Sequence, residues 1–380
     1  MILTDEQIQI QGMVRDFARD KILPGAEARS RESRFPRAEL DAMAELGLLG
    51  MLVPDEFGGA GLGYLSFVLA MEEIAAADGA LSTILSVHST PASTAILKFG
   101  SVQQKAEWLP KLTSGQIIGA FALTEPGAGS DAAALKTKAV RDGDGWIING
   151  SKQFITSGKN GGMTIVFAVT DAAAGKKGIS AFLVPPSTKG YVVTKIEDKM
   201  GQESSDTCAL AFEDMRVPAT AMLGAEGEGY KIALSNLEGG RLGIAAQSIG
   251  MARAAYEYAL AYAQERKSFG KNIFDHQAVS FALSDMATKI EVARAMLHHT
   301  AALRDAGMPC TKEACMAKLF ASEMAERVIH SAIEILGGYG YLSDYPLERI
   351  YRDARVCSIY EGTSNIQKLI IAREIAKGAA

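Results

Sequence analysis

The pattern of apolar and polar residues divides the chain into three parts, of which the first is predicted to be helical. After the start signal Thr4-Asp5-Glu6, apolar residues recur at the three- and four-residue spacing of an amphipathic helix. Pro24-Gly25 predicts the end of this first helix. The same spacing predicts further helices over residues 64–77 and 81–98. The glycine-rich stretch 58–63 follows no clear strand, so we interpret it as a loop rather than a nucleotide-binding turn.

The pattern changes near residue 119, where short apolar runs alternate with turn residues. The sequence Asp142-Gly143-Asp144-Gly145 between two such runs is a strong hairpin signal. These features predict a β domain, either a barrel or a small sandwich. The predicted strands cover residues 120–123, 146–148, 154–156, 163–169, 179–184 and 208–212.

From about residue 229 the helical spacing returns, in long alanine-rich segments that are typical of a helix bundle. Thr311 is the expected N-cap of one helix, and Gly337-Gly338 the expected stop. The fold class is therefore predicted as α+β, with domains at 1–118 (helical), 119–228 (β) and 229–380 (four-helix bundle). The four bundle helices are predicted over residues 241–266, 276–304, 311–336 and 364–376.

Composition and charge narrow the possible functions. Hydrophobic residues make up 48% of the chain and charged residues 22%, which is ordinary for a globular protein. The net charge of -5 argues against a general nucleic-acid binder, although a local basic pocket could still bind a phosphorylated ligand. No apolar run reaches the ~20 residues of a membrane span. The start of the chain resembles neither a signal nor a transit peptide, so we expect a cytoplasmic protein.

The sequence offers no convincing metal site. The four cysteines form no CxxC pair and have no histidine at ligand spacing, so reduced thiols are the expected state. His298 and His299 are adjacent and point to different faces of a helix, so they cannot chelate one ion as an i, i+4 pair would.

Three motifs suggest chemistry. Residues 121–131 read as a strand ending in a turn rich in glycine and hydroxyl residues, which suits a flat or anionic ligand or simply a tight surface turn. In the stretch 264–271, Arg266-Lys267 at a helix end suits a pyrophosphate, but a solvated helix end is the stronger interpretation of that stretch alone. Glu361 ends an apolar run before a helix, where an apolar flank would raise its pKa toward neutrality. On its own, an exposed glutamate is slightly favoured there.

Together, in this order, the motifs resemble those of the acyl-CoA dehydrogenase family from residue 3 to about residue 377. The stretches that carry the resemblance are FALTEPGAGSD at 121, INGSKQFITSG at 148, ERKSFGK at 265, MAKLFASE at 316, ILGGYGYL at 335 and IYEGTSNIQ at 359. The resemblance implies a helical domain, a β domain and a four-helix bundle, with FAD in a crevice between the last two. It also implies a homotetramer built as a dimer of dimers.

The resemblance assigns roles to individual residues. Glu361 is the expected catalytic base. The substrate contacts are expected from Ser130, Glu238, Arg241, Tyr360 and Gly362. The expected flavin contacts within one subunit are Phe121, Leu123, Thr124, Gly129, Ser130, Phe154, Ile155, Thr156, Thr363 and Asn365. A further set, expected mainly on the FAD of a neighbouring subunit, comprises Arg266, Phe269, Gln277, Glu334, Ile335, Leu336, Gly337 and Gly338.

The implied reaction is α,β-dehydrogenation of an acyl-CoA. Glu361 removes the α-proton while a hydride leaves Cβ toward the flavin on the other face, which gives a trans-2-enoyl-CoA. Hydrogen bonds to the thioester oxygen stabilise the developing negative charge. The reduced cofactor is expected to pass its electrons to electron-transferring flavoprotein.

Substrate choice is less sharply defined. The position of Glu361 matches short-chain, medium-chain and isobutyryl-type enzymes, whereas long-chain and isovaleryl-type enzymes carry the base near Gly240. Residues 81–88 contain no Arg or Lys, which argues against a dicarboxylic substrate. Butyryl-CoA or isobutyryl-CoA is therefore expected. Glu238 and Glu334 depart from residues common in the family, Asp and Gln, which leaves the contacts from those two positions open.

Two rival functions remain. An acyl-CoA oxidase of the same fold would pass electrons to oxygen, but such oxidases are usually much longer chains. A related nitroalkane oxidase would have Asp in place of Glu361. A non-catalytic flavoprotein scaffold is disfavoured because Glu361, Arg241 and Arg266 are all present.

Overall fold

In the computed structural model, which describes residues 2–378, the first domain is a set of short helices. The first of them starts after Thr4, as the sequence predicts, and a capping box joins Thr4 and Gln7 there. The helices are α1 (Asp5–Phe17), α2 (Ala26–Arg31), α3 (Arg37–Glu45), α4 (Tyr64–Ala77), α5 (Gly79–Val87), α6 (Thr94–Phe99) and α7 (Val102–Thr113).

Two predicted boundaries in this domain are wrong, and proline explains both. The first helix is predicted to stop at Pro24-Gly25, but its α-helical part ends at Phe17. A π-helical turn and a 3-10 turn follow it, so the backbone stays helical through Pro24 and into α2. Proline is tolerated there because it lies in the first turn of a helical segment, where its missing N–H costs no bond. The helix predicted over 81–98 is interrupted by a π-helical turn, His88–Ser93, which contains Pro91.

The middle of the chain forms a β domain, as predicted. Its eight strands form one sheet in the order β6-β7-β3-β2-β4-β5-β8, and β1 pairs in parallel with β4. The strands are β1 (Gly119–Ala122), β2 (Lys138–Asp142), β3 (Gly145–Thr156), β4 (Met163–Val169), β5 (Ile179–Val184), β6 (Tyr191–Ile196), β7 (Thr207–Pro218) and β8 (Met222–Leu223).

The predicted hairpin is confirmed, since Asp142 pairs with Gly145 across the β2–β3 turn. The runs predicted at 146–148 and 154–156 belong to one strand, β3, whose pairing with β7 shifts register between them. Strand β6 escaped prediction because it lies at the edge of the sheet and has no fully buried position.

Both faces of the sheet are covered. Ile165 and Phe167 of β4 pack with Ile96 of α6 and Leu112 of α7. On the other face, β4 and β5 share a core with β3 and β7, in which Trp146 lies edge-on to Phe182 at 5.7 Å between ring centroids. The β domain is therefore held against the helices by one face, which fixes the position of its strand ends.

The last part of the chain is a helix bundle, which confirms the predicted fold. Helix α10 (Thr311–Leu336) packs against α8 (Gly229–Glu265), α9 (Gln277–Asp305) and α12 (Ser364–Gly378). Helix α8 begins at Gly229, well before the predicted start at Arg241. Gly239 and Gly240, which directly precede the predicted start, lie inside the helix and do not break it. The remaining elements are α8 (Gly229–Glu265), β9 (Lys267–Ser268), β10 (Lys271–Asn272), α9 (Gln277–Asp305), α10 (Thr311–Leu336), α11 (Leu347–Ala354) and α12 (Ser364–Gly378).

The caps of α10 agree with the sequence at one end only. Gly337 ends the helix with φ +60°, as predicted. Thr311, however, is the first helical residue rather than the N-cap, and its hydroxyl donates to Glu238 Oε1 at 3.0 Å. None of the helices within residues 2–378 is long and apolar enough to cross a membrane. The four cysteines are free and buried.

Candidate active site

A cleft of about 610 Å³ lies between the β domain and helices α8 and α12. Thirteen of the residues singled out from the sequence meet on its walls, although they come from three distant parts of the chain. They are Phe121, Leu123, Thr124, Gly129, Ser130, Phe154, Ile155, Thr156, Glu238, Arg241, Tyr360, Glu361 and Gly362.

A buried ion pair fixes the wall that the β domain contributes. Glu125, in the turn after β1, accepts hydrogen bonds from Lys152 Nζ at 2.8 Å and from the N–H of Thr137 at 3.0 Å. Lys152 is fully buried on β3 and also donates to the Leu123 carbonyl at 3.1 Å. Burial lowers the pKa of Lys152 to about 8, although Glu125 opposes that shift. The pair ties the glycine-rich turn to β3, and the sequence motifs had not identified it.

The β-domain wall of the cleft also has surface that no described residue covers. A Cβ built on Gly129 would meet no protein atom within 4 Å, so nothing in the described chain fills the space beside it. Phe154 is 63% exposed and has a φ of +60°, a left-handed conformation that is rare for a bulky residue. A strained, exposed aromatic residue beside an open glycine suits a flat ligand lying along this wall.

The opposite wall carries Glu361 on a strained loop between α11 and α12. Glu361 has φ +53° and Gly362 has φ +90°, so two successive residues are left-handed. Gln367 Nε2 donates to both of their carbonyls, at 3.0 and 2.8 Å. Lys318 Nζ donates to the Gly362 carbonyl at 2.8 Å. The N–H of Glu361 donates to no backbone acceptor within residues 2–378.

The Glu361 carboxyl group is poised to titrate near neutrality. Its Oε2 atom is buried and has no hydrogen-bond partner in the described chain. Burial raises the pKa of Glu361 to about 7, while the positive charges of Arg241 and Lys318 oppose the rise. A carboxyl group of this kind exchanges a proton readily at physiological pH.

Two further charged residues on α8 line the cleft in different ways. Arg241 is only 6% exposed, and its Nε atom has no hydrogen-bond partner among residues 2–378. A buried guanidinium without a protein partner suits an anionic or carbonyl-bearing ligand. Glu238, by contrast, is engaged by the protein, since it binds Arg304 at 2.8 Å and Thr311 at 3.0 Å.

Tyr360 links the cleft to a buried polar network. Its hydroxyl donates to Gln247 Oε1 on α8 and lies 3.3 Å from Thr83 Oγ1 on α5. Gln247 Nε2 in turn donates to Thr83 Oγ1 at 2.6 Å and to the Gly79 carbonyl at 2.8 Å. The network fixes the orientation of the tyrosine ring, and neither Gln247 nor Thr83 was expected from the motifs.

The other predicted flavin residues do not reach this cleft. Arg266 and residues 335–338 line a second, more open pocket of about 510 Å³, where the Arg266 guanidinium lies 5.5 Å from the centre of the Tyr339 ring. A Cβ on Gly337 or Gly338 would meet no atom of residues 2–378 there within 4 Å. Their expected role toward the FAD of a neighbouring subunit stays a prediction.

Five predicted residues line neither pocket. Phe269, at the tip of the β9–β10 hairpin, is 95% exposed. Gln277 is exposed at the first position of α9, and Glu334 is exposed and paired with His330 at 3.3 Å. Thr363 accepts a hydrogen bond from the N–H of Ile366 at 3.4 Å, and Asn365 is exposed in the first turn of α12. Their roles stay predictions.

Three family models match the chain in sequence order. The acyl-CoA dehydrogenase N-terminal domain matches residues 4–116, the middle domain residues 120–215 and the C-terminal domain residues 227–376. These matches account for most of the chain and follow the helical, β and helical parts described above.

Characterised relatives match over nearly the whole chain. An acyl-CoA dehydrogenase of Bacillus subtilis (strain 168) is 47% identical over 378 residues, covering 100% of both proteins. The acryloyl-CoA reductase (NADH) of Anaerotignum propionicum is 48% identical, covering 99% of this chain and 95% of the relative. The mitochondrial short-chain specific acyl-CoA dehydrogenase of Mus musculus is 48% identical, covering 96% of this chain and 88% of the relative.

Solved structures of similar proteins have the same fold as this chain. Butyryl-CoA dehydrogenase from Megasphaera elsdenii superposes with a TM-score of 0.97 at 40% identity, covering 99% of each chain. A chain in a structure described as the electron transferring flavoprotein of Acidaminococcus fermentans also gives 0.97, at 44% identity and 99% of each chain. From fold, cleft and relatives together, this chain belongs to the acyl-CoA dehydrogenase family, and it is an oxidoreductase.

Proposed function

We propose that the protein catalyses FAD-dependent α,β-dehydrogenation of a short-chain acyl-CoA, with Glu361 as the base. The observation that carries the proposal is the Glu361 carboxyl group. It faces the cleft on a strained loop, its pKa is raised to about 7 by burial, and its Oε2 atom has no hydrogen-bond partner within the described chain. A base matched to neutral pH opposite a ligand-binding wall is what removal of a carbon-bound proton requires.

The β-domain wall fits FAD. Gly129 and Phe154 leave open surface for a flat ring, and the hydroxyl groups of Thr124, Ser130 and Thr156 line the same cleft as potential hydrogen-bond donors. When bound, FAD accepts the hydride that leaves the substrate's Cβ. Besides these residues, the proposed contacts within the subunit are Phe121, Leu123, Ile155, Thr363 and Asn365.

The catalytic loop would act on the thioester in two ways. The α-proton of a thioester is weakly acidic, and Glu361 removes it with its free carboxylate oxygen. The N–H of Glu361 donates to the thioester carbonyl oxygen and stabilises the negative charge that develops there. Gln367 and Lys318 stabilise the loop by binding its carbonyls, so the N–H and the carboxylate stay in fixed relation.

The size of the acyl group is proposed from the packing of α5 against α8. A Cβ on Gly243 would lie 2.5 Å from Ser86 Oγ, so the two helices leave no room for a chain between them at that point. Tyr360 is anchored to the same two helices by Gln247 of α8 and Thr83 of α5. These features favour a short acyl group such as butyryl or isobutyryl. Arg241 is proposed to contact the CoA portion, together with Ser130.

Partners are proposed from the family. The second pocket, around Arg266 and Gly337, would receive part of the FAD of a neighbouring subunit in a homotetramer. Electrons would pass to electron-transferring flavoprotein. The proposal is supported by the similar chain found in the structure described as the electron transferring flavoprotein of Acidaminococcus fermentans. The domain boundaries at 118/119 and 228/229 and a cytoplasmic location stay predictions.

An anaerobic titration tests this function. The purified protein should be yellow, and butyryl-CoA or isobutyryl-CoA should bleach the flavin absorbance, while hexadecanoyl-CoA should act far more slowly. A colourless protein that takes up no FAD, or a yellow protein that no acyl-CoA bleaches, would refute the proposal. Reoxidation by air with stoichiometric hydrogen peroxide would instead support the oxidase.

The second candidate is the reverse reaction, reduction of a 2-enoyl-CoA. It is favoured by one observation, the 48% identity to a relative named acryloyl-CoA reductase (NADH). The same base and cleft would serve both directions. The two candidates are separated by measuring whether the protein, with its electron-transfer partner, oxidises NADH in the presence of acryloyl-CoA.

A further inference from the structure

We propose that Lys318 is a positioning residue for Glu361, which acts by holding the Gly362 carbonyl and by favouring the ionised carboxylate through its positive charge. The inference deepens the proposed function and rests on it. Lys318 lies within the MAKLFASE stretch that resembles the family, but the sequence assigned it no role.

The burial of Lys318 is unusual. The side chain lies on α10 with 0% exposure, and Gly362 O is the one hydrogen-bond acceptor that residues 2–378 provide for its Nζ atom. Lysine is almost never fully buried without a partner, because removing its charge from water is costly. A buried ammonium directed at one carbonyl is therefore a specific arrangement, and that carbonyl belongs to the residue after the base.

Hydrogen bonds to the Gly362 carbonyl can fix the conformation of the loop that carries Glu361. Glu361 and Gly362 both have left-handed φ values, and a non-glycine residue adopts that conformation only when its surroundings impose it. Two side chains bind the carbonyls of this pair, Lys318 from α10 and Gln367 from α12. Helix α10 packs against both α8 and α12, so Lys318 joins the loop to the centre of the bundle.

The charge of Lys318 is the second part of the argument. Within residues 2–378, the titratable groups that act most strongly on the charge of Lys318 are Glu361 on the loop, Arg241 on α8, Cys357 in the turn after α11, and Cys315 on α10 itself. Burial raises the pKa of Cys357 to about 11 and also raises that of Cys315, so both thiols are neutral at physiological pH.

Two cations therefore face one carboxylate. Burial lowers the pKa of Lys318 to about 8, so the side chain is still mainly protonated where Glu361 ionises, near pH 7. Its positive charge opposes the effect of burial on Glu361. Without Lys318, Arg241 would be the remaining cation among residues 2–378 that lowers the pKa of Glu361.

Four variants separate the two effects. Lys318→Met removes both bond and charge, Lys318→Gln keeps an N–H donor without charge, Lys318→Arg keeps the charge, and Gln367→Met removes the other carbonyl clamp while leaving both cations. The first measurement is the pH dependence of kcat/KM for butyryl-CoA. The second is infrared titration of the protonated Glu361 carboxyl band, identified by its loss in Glu361→Gln.

For Lys318→Met we expect the midpoint of the acidic limb of the kcat/KM profile to rise by on the order of 1 pH unit. The midpoint of the infrared titration of the Glu361 carboxyl band should rise by the same amount, and kcat should be lower at every pH. Lys318→Gln should show the same shift with a smaller loss of kcat. Lys318→Arg should have the same midpoint of the acidic limb as the wild type. Gln367→Met should reduce kcat without moving the limb.

An unchanged limb and carboxyl band in Lys318→Gln would overturn the inference, as would a shift of equal size in Gln367→Met, because either result would reduce Lys318 to a structural role. If Lys318→Met does not fold, the glutamine and arginine variants still decide. Failure of the proposed function is a separate result, since the wild-type protein would then not be bleached by butyryl-CoA at all.

Discussion

The carboxylate of Glu361 lies directly against Gly240 of helix α8. A Cβ built on Gly240 would be 2.7 Å from Glu361 Oε2 and 2.8 Å from its Cδ, closer than atoms approach without a shift. Glycine at 240 therefore makes room for the glutamate at 361. The sequence resemblance implies that long-chain and isovaleryl-type enzymes carry the base near this helix position.

The first prediction follows from this contact. Gly240→Ala should displace the Glu361 carboxylate and slow flavin reduction by butyryl-CoA by on the order of 100-fold, because small misplacements of a reacting group are costly. FAD content should be unchanged. The rate is measured by anaerobic stopped-flow.

Gly12→Ala is the matched control, because a Cβ on Gly12 in α1 would meet nothing within 4 Å. It should leave the rate unchanged and stabilise the protein by about 0.5–1 kcal/mol, the preference of a helix interior for alanine over glycine. A Gly240→Ala enzyme with the wild-type rate would mean that the carboxylate does not act from this position.

The second prediction concerns pH. Burial raises the pKa of Glu361 to about 7, so the carboxyl group is mostly protonated, and inactive as a base, below that pH. kcat/KM for butyryl-CoA should therefore rise with pH and reach half its plateau near pH 7. Well below this midpoint it should fall about tenfold per pH unit. A profile that is flat from pH 5 to 8 would contradict the assignment.

The third prediction concerns chain length. Gln247→Ala removes the acceptor of the Tyr360 hydroxyl and frees space between α5 and α8. The ratio of kcat/KM for hexanoyl-CoA to that for butyryl-CoA should increase by on the order of tenfold, the discrimination that one or two methylenes provide in an apolar pocket.

Thr300→Ala is the control for that change, since it removes a buried hydroxyl whose bond is to the Met296 carbonyl of its own helix. It should leave the ratio where it is in the wild type. An unchanged ratio in Gln247→Ala would mean that the network around Tyr360 does not limit the acyl group.

Much of the fold follows from local pattern. The helices predicted over residues 64–77 and 311–336 and the strands over 163–169 and 179–184 have the bounds that the structure gives them, because their apolar runs are long and end at strong signals. The misplaced boundaries in the first helical domain involve Pro24 and Pro91, and the misplaced start of α8 involves Gly239 and Gly240. The effect of a proline depends on its place in the hydrogen-bond ladder, which composition does not reveal.

The site was predictable where it resembles contiguous family motifs. The residues on the β wall and on the Glu361 loop line one cleft. The supporting pairs were missed, because Lys318 and Gly362 are 44 positions apart and Lys152 and Glu125 are 27 apart. Such partners are set by how the helices and strands pack. The one signal in the sequence is a lysine at an otherwise apolar position of a helix or strand.

The base assignment is tested most directly by Glu361→Gln, which keeps the size of the side chain and its contact with Gly240 but cannot accept the proton. Flavin reduction by butyryl-CoA is measured anaerobically in the variant and the wild type, after both are shown to bind FAD and acyl-CoA equally. The account predicts a rate lower by about 10²–10⁴-fold in the variant. A rate within a few-fold of the wild type would contradict it.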